Sequence, residues 1–439
     1  MIAEFKIKNF YSLREEQVLS FLPKNDDISQ EIYTDEVADG VRLLKIACIY
    51  GSNASGKTNI LKGLDYFARL MVDSDQDKGE DTGVVPFLLD NVSEKEKTEF
   101  EMTFFLNRER YKINLVLDRN IIYSEVLQVY SSVQPSLLYK RMYNAETDST
   151  QIVFGGKVGL LKKSSAAILG NTINNRTVIA AFGKSNVEKT RLNLVYDFFS
   201  SKIAPMMLPQ SNLSSFTKSN LQRSRDGKLK EFILHFLKAS DFNISDISLH
   251  DEEVNITPEM ESMIKNAPGM PERMIEDKLR KGTINMEELM FTHHTNYGDK
   301  ELDENLESRG TKRYMGLATI LFDLLVRGII LPIDEIETSI HYELLSYFIR
   351  VFLVNSKRQA QIVLTTHDIN LLDEDYIRRD VIWFTDKNDR GETQLLRLSS
   401  LGLHKTMSVY NAYKQEKLVN LPFLDSIYLD MDQYYGAKE

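Results

Sequence analysis

The segment Gly51-Ser-Asn-Ala-Ser-Gly-Lys-Thr58, which we call the phosphate loop, contains the residue types that bind a triphosphate. It matches G-x-x-x-x-G-K-[ST] at every fixed position. Glycines such as Gly56 let successive backbone N–H groups point at phosphate oxygens, and a following helix adds its positive N-terminal end. Lys57 is expected to reach the β- and γ-phosphates, and the Thr58 hydroxyl to ligate Mg²⁺. The loop therefore predicts a site for ATP with Mg²⁺.

Two adjacent carboxylates, Asp334 and Glu335, directly follow the apolar run 328–333. Asp334 suits holding Mg²⁺ through water or through the shell of Thr58, and Glu335 suits polarising an attacking water. A buried strand that ends in an acidic turn is common, so the pair alone does not indicate a site. Together with the phosphate loop earlier in the chain, it indicates the second half of a nucleotide site. Pro332 lies inside the run and predicts an edge strand or a local irregularity, because proline has no N–H to donate.

Two further segments place polar residues at the end of an apolar helix or strand, where they could reach a site. Ser308-Arg-Gly310 precedes an apolar helix, and the apolar run 362–366 ends at His367. His293 and His294 are not expected to bind a metal together, because neighbouring side chains of a strand point to opposite faces.

The apolar patterns around these residues predict the elements that must position them. The run 43–50 reads as a buried strand feeding the phosphate loop, and helical spacing begins near Lys57. Two short strands are expected in the first twenty-odd residues, and the alternation over 98–130 predicts an antiparallel meander. From 158 to 284 the pattern is mostly helical, with a polar break at 211–226.

Composition excludes several classes of protein for this chain of 439 residues. Its hydrophobic share of 42% is ordinary, and no apolar run is long enough to cross a bilayer. The single cysteine, Cys48, fits a reducing cytoplasm. The formal charge of −10 argues against a surface built entirely for nucleic acid but leaves room for a local basic groove. The basic stretch 218–230 could touch a nucleic-acid backbone, although a solvated loop is the simpler interpretation.

The order of these motifs resembles the ABC ATPase heads of the Rad50, SMC and RecF kind. The opening Asn9-Phe-Tyr-Ser12 is also similar to the Asn-Phe-x-Ser that begins such heads. The resemblance implies that Ser308 and Gly310 form the signature that contacts the γ-phosphate held by an opposite subunit. It further implies that Ser339 belongs to the D-loop and that His367 is the switch histidine. The glutamine of a Q-loop cannot be placed from the sequence.

Within that class the chain is most similar to compact prokaryotic AAA15-type ATPases. Overcoming-lysogenization nucleases are related, because they fuse a similar head to a TOPRIM domain. The phosphate loop of the AAA15-type ATPases, Gly-x-Asn-x-Ser-Gly-Lys-[ST], implies a role for Asn53 in nucleotide binding. Their Ser-x-Gly-Thr-Lys-Arg signature accounts for Arg309 and Thr311, which depart from the usual Leu-Ser-Gly-Gly-Gln. The expected fold is an α/β ABC-type head with a parallel core sheet, an antiparallel β meander and a helical insertion. The expected domains are an N-terminal lobe (1–157), the insertion (158–284) and a C-terminal lobe (285–439).

Such ATPases often form half of two-gene anti-phage systems of the PARIS or AbiL type. The resemblance thus implies a slow cytoplasmic ATPase that forms a homodimer through an ATP sandwich, with a larger homo-oligomer as an alternative. It would control a separate TOPRIM or RloB-like nuclease, because Asp430-Met-Asp432 has too little chain around it for a nuclease domain. The alternative function is a DNA-binding ATPase in repair or clamping, like RecF or Rad50.

Overall fold

The computed structural model of the protein describes residues 1–24, 28, 30–75, 77–266, 272–404 and 407–419. The strands are β1 (Ile2–Lys8), β2 (Gln17–Ser20), β3 (Thr34–Ala38), β4 (Val41–Leu44), β5 (Ile46–Tyr50), β6 (Thr98–Leu106), β7 (Glu109–Leu117), β8 (Ile122–Tyr130), β9 (Ser136–Asn144), β10 (Ser149–Phe154), β11 (Ile244–Asn255), β12 (Thr283–Thr295), β13 (Gly298–Asp303), β14 (Ile330–Ile333), β15 (Gln361–Thr365), β16 (Ile382–Lys387) and β17 (Thr393–Arg397). The helices are α1 (Gln30–Tyr33), α2 (Lys57–Val72), α3 (Lys162–Asn171), α4 (Val178–Gly183), α5 (Arg191–Asp197), α6 (Leu213–Arg223), α7 (Lys228–Ala239), α8 (Pro258–Lys265), α9 (Glu272–Lys281), α10 (Arg309–Arg327), α11 (Tyr342–Asn355) and α12 (Val409–Lys414). Asp430-Met-Asp432 lies outside the described residues.

The chain forms two compact units, each assembled from separate stretches of sequence. Unit 1 comprises Met1–Pro209, Arg327–Ile336 and the chain from Ser356 onward, whereas unit 2 comprises Gln210–Val326 and Glu337–Asn355. These limits differ from the domain boundaries expected at 157/158 and 284/285. The expected division into two lobes and an insertion remains a prediction. Within the described part of the chain, no helix combines the length and apolar character that a membrane span requires.

A five-stranded sheet in unit 1 has the order β14-β15-β5-β16-β17. Its first four strands are parallel, and β17 pairs antiparallel with β16. Every residue of β5, β14 and β15 is buried, which explains why these strands are mainly apolar in the sequence. Because the carboxyl ends of parallel strands meet at one edge, the segments after β5, β14 and β15 all begin at the same place.

Pro332 lies in β14, the strand at one end of this sheet. Outside β14 runs the segment 203–207, which forms isolated parallel bridges from Ile203 to Ile330 and from Met207 to Ile333. The carbonyl of Pro332 accepts a 2.9 Å hydrogen bond from the N–H of Met207. The ring nitrogen of Pro332 faces this segment, on the side of β14 away from β15. The missing N–H of proline therefore removes no hydrogen bond from the pairing of β14 with β15. The expected edge position of Pro332 is confirmed.

A seven-stranded antiparallel sheet, also in unit 1, has the order β10-β9-β8-β7-β6-β1-β2. It contains the expected meander over 98–130 and continues it through β9 and β10. Phe67 of α2 packs on this sheet, with ring centroids 5.6 Å from Phe5 and 5.5 Å from Phe100. The buried amide of Gln361 on β15 joins both sheets, because it donates to the carbonyl of Ile2 at 2.9 Å. The mixed α/β fold with a parallel core sheet and an antiparallel meander is confirmed.

Two local expectations were wrong in detail. The predicted strand over 43–50 is divided at Lys45, whose ammonium donates to the carbonyl of Ser356 at 2.7 Å. The predicted polar break at 211–226 contains α6, which begins after Asn212, whose side chain caps the N–H of Ser215 at 3.1 Å. The region 158–284 is mostly helical as predicted, with α3 to α9, and it also contains the strand β11.

Unit 2 contains the sheet β11-β12-β13 and the basic stretch 218–230. The stretch falls on α6 and α7, so it is not the single solvated loop that was predicted. Each of its three lysines lies next to a carboxylate within unit 2: Lys218 next to Glu304, Lys228 next to Asp226, and Lys230 next to Asp246. The lysine charges are therefore compensated locally, whereas Arg223 and Arg225 of the same stretch are exposed.

Candidate functional site

The phosphate loop connects β5 to α2 at the carboxyl edge of the parallel sheet. Its backbone enters the left-handed region at Ala54 and Gly56, whose φ angles are 62° and 106°. Such a winding turns successive N–H groups toward one concave side, the arrangement that binds anions. The Lys57 ammonium lies over this loop and donates to the carbonyls of Gly51 at 2.9 Å and Ser52 at 3.0 Å. The loop and its lysine therefore fit a polyphosphate.

The hydroxyl of Thr58 and the carboxylate of Asp334 meet at the same edge. Thr58 Oγ1 donates to Asp334 at 3.0 Å and 3.2 Å, one distance to each carboxylate oxygen. Asp334 is 4% exposed. A hydroxyl and one carboxylate are oxygen ligands of the kind that Mg²⁺ uses when phosphates and waters complete its shell. Thr58 and Asp334 are thus placed to hold the ion that the sequence predicted.

Thr365, the last residue of β15, connects this pair to Glu335. Its buried hydroxyl donates to Asp334 Oδ1 at 2.6 Å and accepts the backbone N–H of Glu335 at 2.8 Å. Glu335 has a φ of 44°, an uncommon value for a residue with a side chain. The hydrogen bond from the N–H of Glu335 to Thr365 holds the backbone in this strained conformation. It thereby fixes the direction in which the Glu335 side chain leaves the sheet.

Two other predicted residues of unit 1 lie on the exposed side of the site. His367 follows β15 by two residues and is exposed. Asn53 is exposed at the tip of the phosphate loop. The carboxyl edge of the parallel sheet therefore carries the loop, the Asp334 and Glu335 pair and the histidine, all within one unit.

The predicted signature and D-loop residues belong to unit 2. Ser308 precedes α10, a helix of 19 residues, and its Oγ accepts the N–H of Thr311 at 3.0 Å. The Thr311 hydroxyl lies 2.8 Å from the same oxygen. A side-chain carbon at Gly310 would lie 3.0 Å from the carbonyl of Ser339, so the turn before α10 and the segment around Ser339 pack closely. Thr311, which departs from the usual signature, thus helps to hold the Ser308 hydroxyl at the start of α10.

The only cysteine of the chain lies on β5, three residues before the phosphate loop. Complete burial raises the pKa of the Cys48 thiol to about 12. The thiol is therefore neutral at physiological pH and is not a nucleophile of this site.

The described residues contain no group of three or more His, Cys, Asp or Glu side chains that could hold a metal ion. His293 lies next to Glu307, and the ring of His294 is 2.7 Å from Asp299, so the two adjacent histidines have separate partners. A Mg²⁺ site made by Thr58, Asp334 and substrate phosphates needs no such cluster.

Sequence reasoning missed several hydroxyl residues around the site. Thr365 stands immediately before Thr366 and His367, and a polar residue closing an apolar strand was a signal that could have been used. Thr385 on β16 and Thr393 on β17 contact the phosphate loop but belong to no recognisable motif. Only the pairing of their strands with the loop strand brings them there.

The backbone of Asp334 is also held from the side of β14 that faces away from β15. The segment 203–207 runs parallel to β14, and the Met207 carbonyl accepts the N–H of Asp334 at 2.8 Å. No local sequence pattern indicates this pairing, because the two segments are far apart in the chain.

The fold and the edge of the parallel sheet together define a P-loop ATPase head. The chain belongs to the AAA family described as "AAA domain, putative AbiEii toxin, Type IV TA system", whose family model matches residues 46–373. This membership confirms that the chain belongs to a family of P-loop ATPases, as the sequence motifs indicated.

Comparisons with individual proteins add distant similarities of fold. A search among curated proteins finds no match. The SMC head domain from Thermotoga maritima is 12% identical, covers 90% of this chain and 98% of its own, and has a TM-score of 0.40. An Smc head domain with an extended coiled coil, bound to the C-terminal domain of ScpA derived from Pyrococcus furiosus, is also 12% identical. It covers 95% of this chain and 98% of its own, with a TM-score of 0.37.

Proposed function

We propose that this protein binds and slowly hydrolyses ATP with Mg²⁺ and uses that cycle to control a separate effector protein. The observation that carries the proposal is the hydrogen-bonded arrangement of Thr58, Asp334, Thr365 and Glu335 beside the phosphate loop. A loop alone would support nucleotide binding. A strained glutamate held next to the metal-binding carboxylate supports hydrolysis as well.

Each residue has a task that follows from its chemistry. Mg²⁺, when bound, neutralises charge on the phosphates and supplies Lewis acidity. Thr58 and Asp334 hold the ion, and Lys57 exchanges its carbonyl partners in the loop for phosphate oxygens. Glu335 orients a water and takes up its proton, and the ring of His367 contacts the terminal phosphate.

A second copy of the chain completes the site. Ser308, Gly310 and Ser339 belong to unit 2 and form a short polar surface at the start of α10. A helix N-terminus with a serine hydroxyl favours an anion, and the γ-phosphate held by another copy is such an anion. The resulting assembly is a homodimer with ATP between its copies, and larger homo-oligomers built from that pair are compatible with it.

The effector that the ATPase controls is a separate nuclease, of the TOPRIM or RloB-like kind, in a cytoplasmic anti-phage system. The family's description, which names an AAA domain, a putative AbiEii toxin and a type IV TA system, supports a setting in a toxin–antitoxin system. The formal charge of −10 weighs against the alternative role in DNA repair or clamping, and so do the carboxylate partners of the three lysines in the stretch 218–230.

The test is a pull-down of the tagged chain, expressed from its native locus with the neighbouring genes intact, with and without ATP. Lys57→Ala, which should not hold nucleotide, is the matched control. Recovery of a stoichiometric nuclease whose amount depends on ATP supports the proposal. Recovery of the ATPase alone, with DNA retained at physiological salt, would replace it with the DNA-repair role.

A further inference from the structure

Three hydroxyl side chains in unit 1, Ser12, Thr385 and Thr393, lie directly beneath the phosphate loop and are called the hydroxyl floor. We propose that the hydroxyl floor holds the loop in its nucleotide-binding conformation, which makes these three residues positioning residues for ATP. The inference rests on the proposed ATP binding. Thr385 and Thr393 belong to no motif, Ser12 closes the opening segment Asn9-Phe-Tyr-Ser12, and all three lie far from the loop in sequence.

The floor and the loop are in direct contact at both glycines of the motif. A side-chain carbon at Gly51 would overlap with the hydroxyl of Thr385, and one at Gly56 would overlap with the hydroxyl of Thr393. The carbon at Gly56 would also lie 2.9 Å from Ser12 Oγ. The glycines are therefore needed for this close packing as well as for backbone conformation.

Donors and acceptors fix the direction of three successive hydrogen bonds at the end of the loop. Asn59 in the first turn of α2 donates its side-chain N–H to Ser12 Oγ at 2.7 Å. Thr393 donates its single hydroxyl proton to the carbonyl of Ser55 at 2.8 Å. The 2.8 Å contact between Ser12 and Thr393 must then have Ser12 as the donor. This series ties the start of α2 to the last turn of the loop.

Thr385 joins the two ends of the loop in the same way. Its hydroxyl donates to the carbonyl of Tyr50, the last residue of β5, at 3.3 Å. The 2.6 Å contact between Ser55 and Thr385 then has Ser55 as the donor. Thr385 and Thr393 are each 1% exposed, so water cannot replace these hydrogen bonds at low cost.

The consequence concerns the backbone N–H groups of the loop. The floor occupies carbonyl and hydroxyl oxygens of the loop and none of its N–H groups. Among the described residues, the N–H groups of Asn53, Ala54 and Gly56 have no hydrogen-bond acceptor. Because the floor fixes the loop and leaves these N–H donors available, the loop can bind an anion without changing its backbone conformation.

The test measures Kd for a fluorescent ATP analogue, together with KM and kcat for ATP, in the full-length chain. Thr393→Val keeps the side-chain volume and removes one hydroxyl, so Kd and KM should rise about tenfold while kcat changes less than about twofold. Thr393→Ser restores the hydroxyl and should restore both values. Thr217→Val is the matched control, because Thr217 is a fully buried hydroxyl in the other unit.

The outcomes separate this inference from the proposed function. If the unmodified chain does not bind the ATP analogue, both fail. If it binds and Thr393→Val binds equally tightly, the floor alone is rejected; failure of Thr393→Ser to rescue would also reject it. Should Thr393→Val lose its thermal unfolding transition, Ser12→Ala decides by the same comparison, since Ser12 is 8% exposed at the margin of the floor.

Discussion

Thr365→Val removes one hydroxyl from the centre of the site and leaves the side-chain volume nearly unchanged. The hydroxyl donates to the Asp334 carboxylate and accepts the N–H of Glu335. A hydrogen bond to a charged group contributes about 1.5–3 kcal/mol, and a buried N–H left without an acceptor costs about 1–3 kcal/mol. The new methyl group recovers about 1 kcal/mol. The free energy of unfolding should therefore fall by about 1.5–5 kcal/mol.

The same substitution should slow hydrolysis, because Asp334 loses a partner and the strained backbone of Glu335 loses its support. Losing the charge-assisted bond in the transition state corresponds to a fall in kcat of about ten- to a hundredfold. Phosphate release at saturating ATP measures kcat. Fluorescence of the single tryptophan, Trp383 on β16 of the same sheet, measures unfolding.

Two controls make this prediction specific. Thr365→Ser keeps the hydroxyl and should retain most of the stability and activity. Thr366→Val removes the neighbouring buried hydroxyl, which accepts the N–H of Asp368 at 3.0 Å instead, and should preserve kcat. Equal kcat and equal unfolding free energy for Thr365→Val and the unmodified chain would refute the reasoning.

Two substitutions and one labelling experiment test other parts of the site. Lys57→Ala should weaken nucleotide binding at least about tenfold, measured by titration with labelled ATP, and an unchanged Kd would contradict the role of the lysine. Glu335→Gln should keep ATP bound and lower kcat about a hundredfold or more, and phosphate release at the unmodified rate would show that another group activates water. Cys48 should resist thiol reagents at pH 8 because burial raises its pKa to about 12. ATP should slow its labelling further by stabilising β5 and the loop, and rapid labelling of the native chain would contradict the burial of that strand.

The sequence alone was sufficient for features encoded within short segments. The phosphate loop, the carboxylate pair and the strand ending near His367 are each one continuous stretch of sequence. Local apolar patterns likewise predicted β1, β2, β6 to β8 and the start of α2. Pro332 predicted its own edge position because one missing donor restricts where a residue can lie in a sheet.

Features that depend on pairing between distant segments could not be obtained in this way. Thr385 and Thr393 reach the loop only because β16 pairs with β5 and β17 pairs with β16. The helix α6 was missed because its polar composition concealed a buried face that includes Leu213 and Thr217.

The claim that two copies build the nucleotide site is tested most directly by the mass of Glu335→Gln in solution. Light scattering should show a change from one chain of 50.6 kDa to twice that mass when ATP and Mg²⁺ are added. Adding Ser308→Arg to Glu335→Gln should leave ATP binding intact and keep the mass at that of one chain. A Glu335→Gln chain that binds ATP without a change in mass, or a double variant that still pairs, would contradict the account.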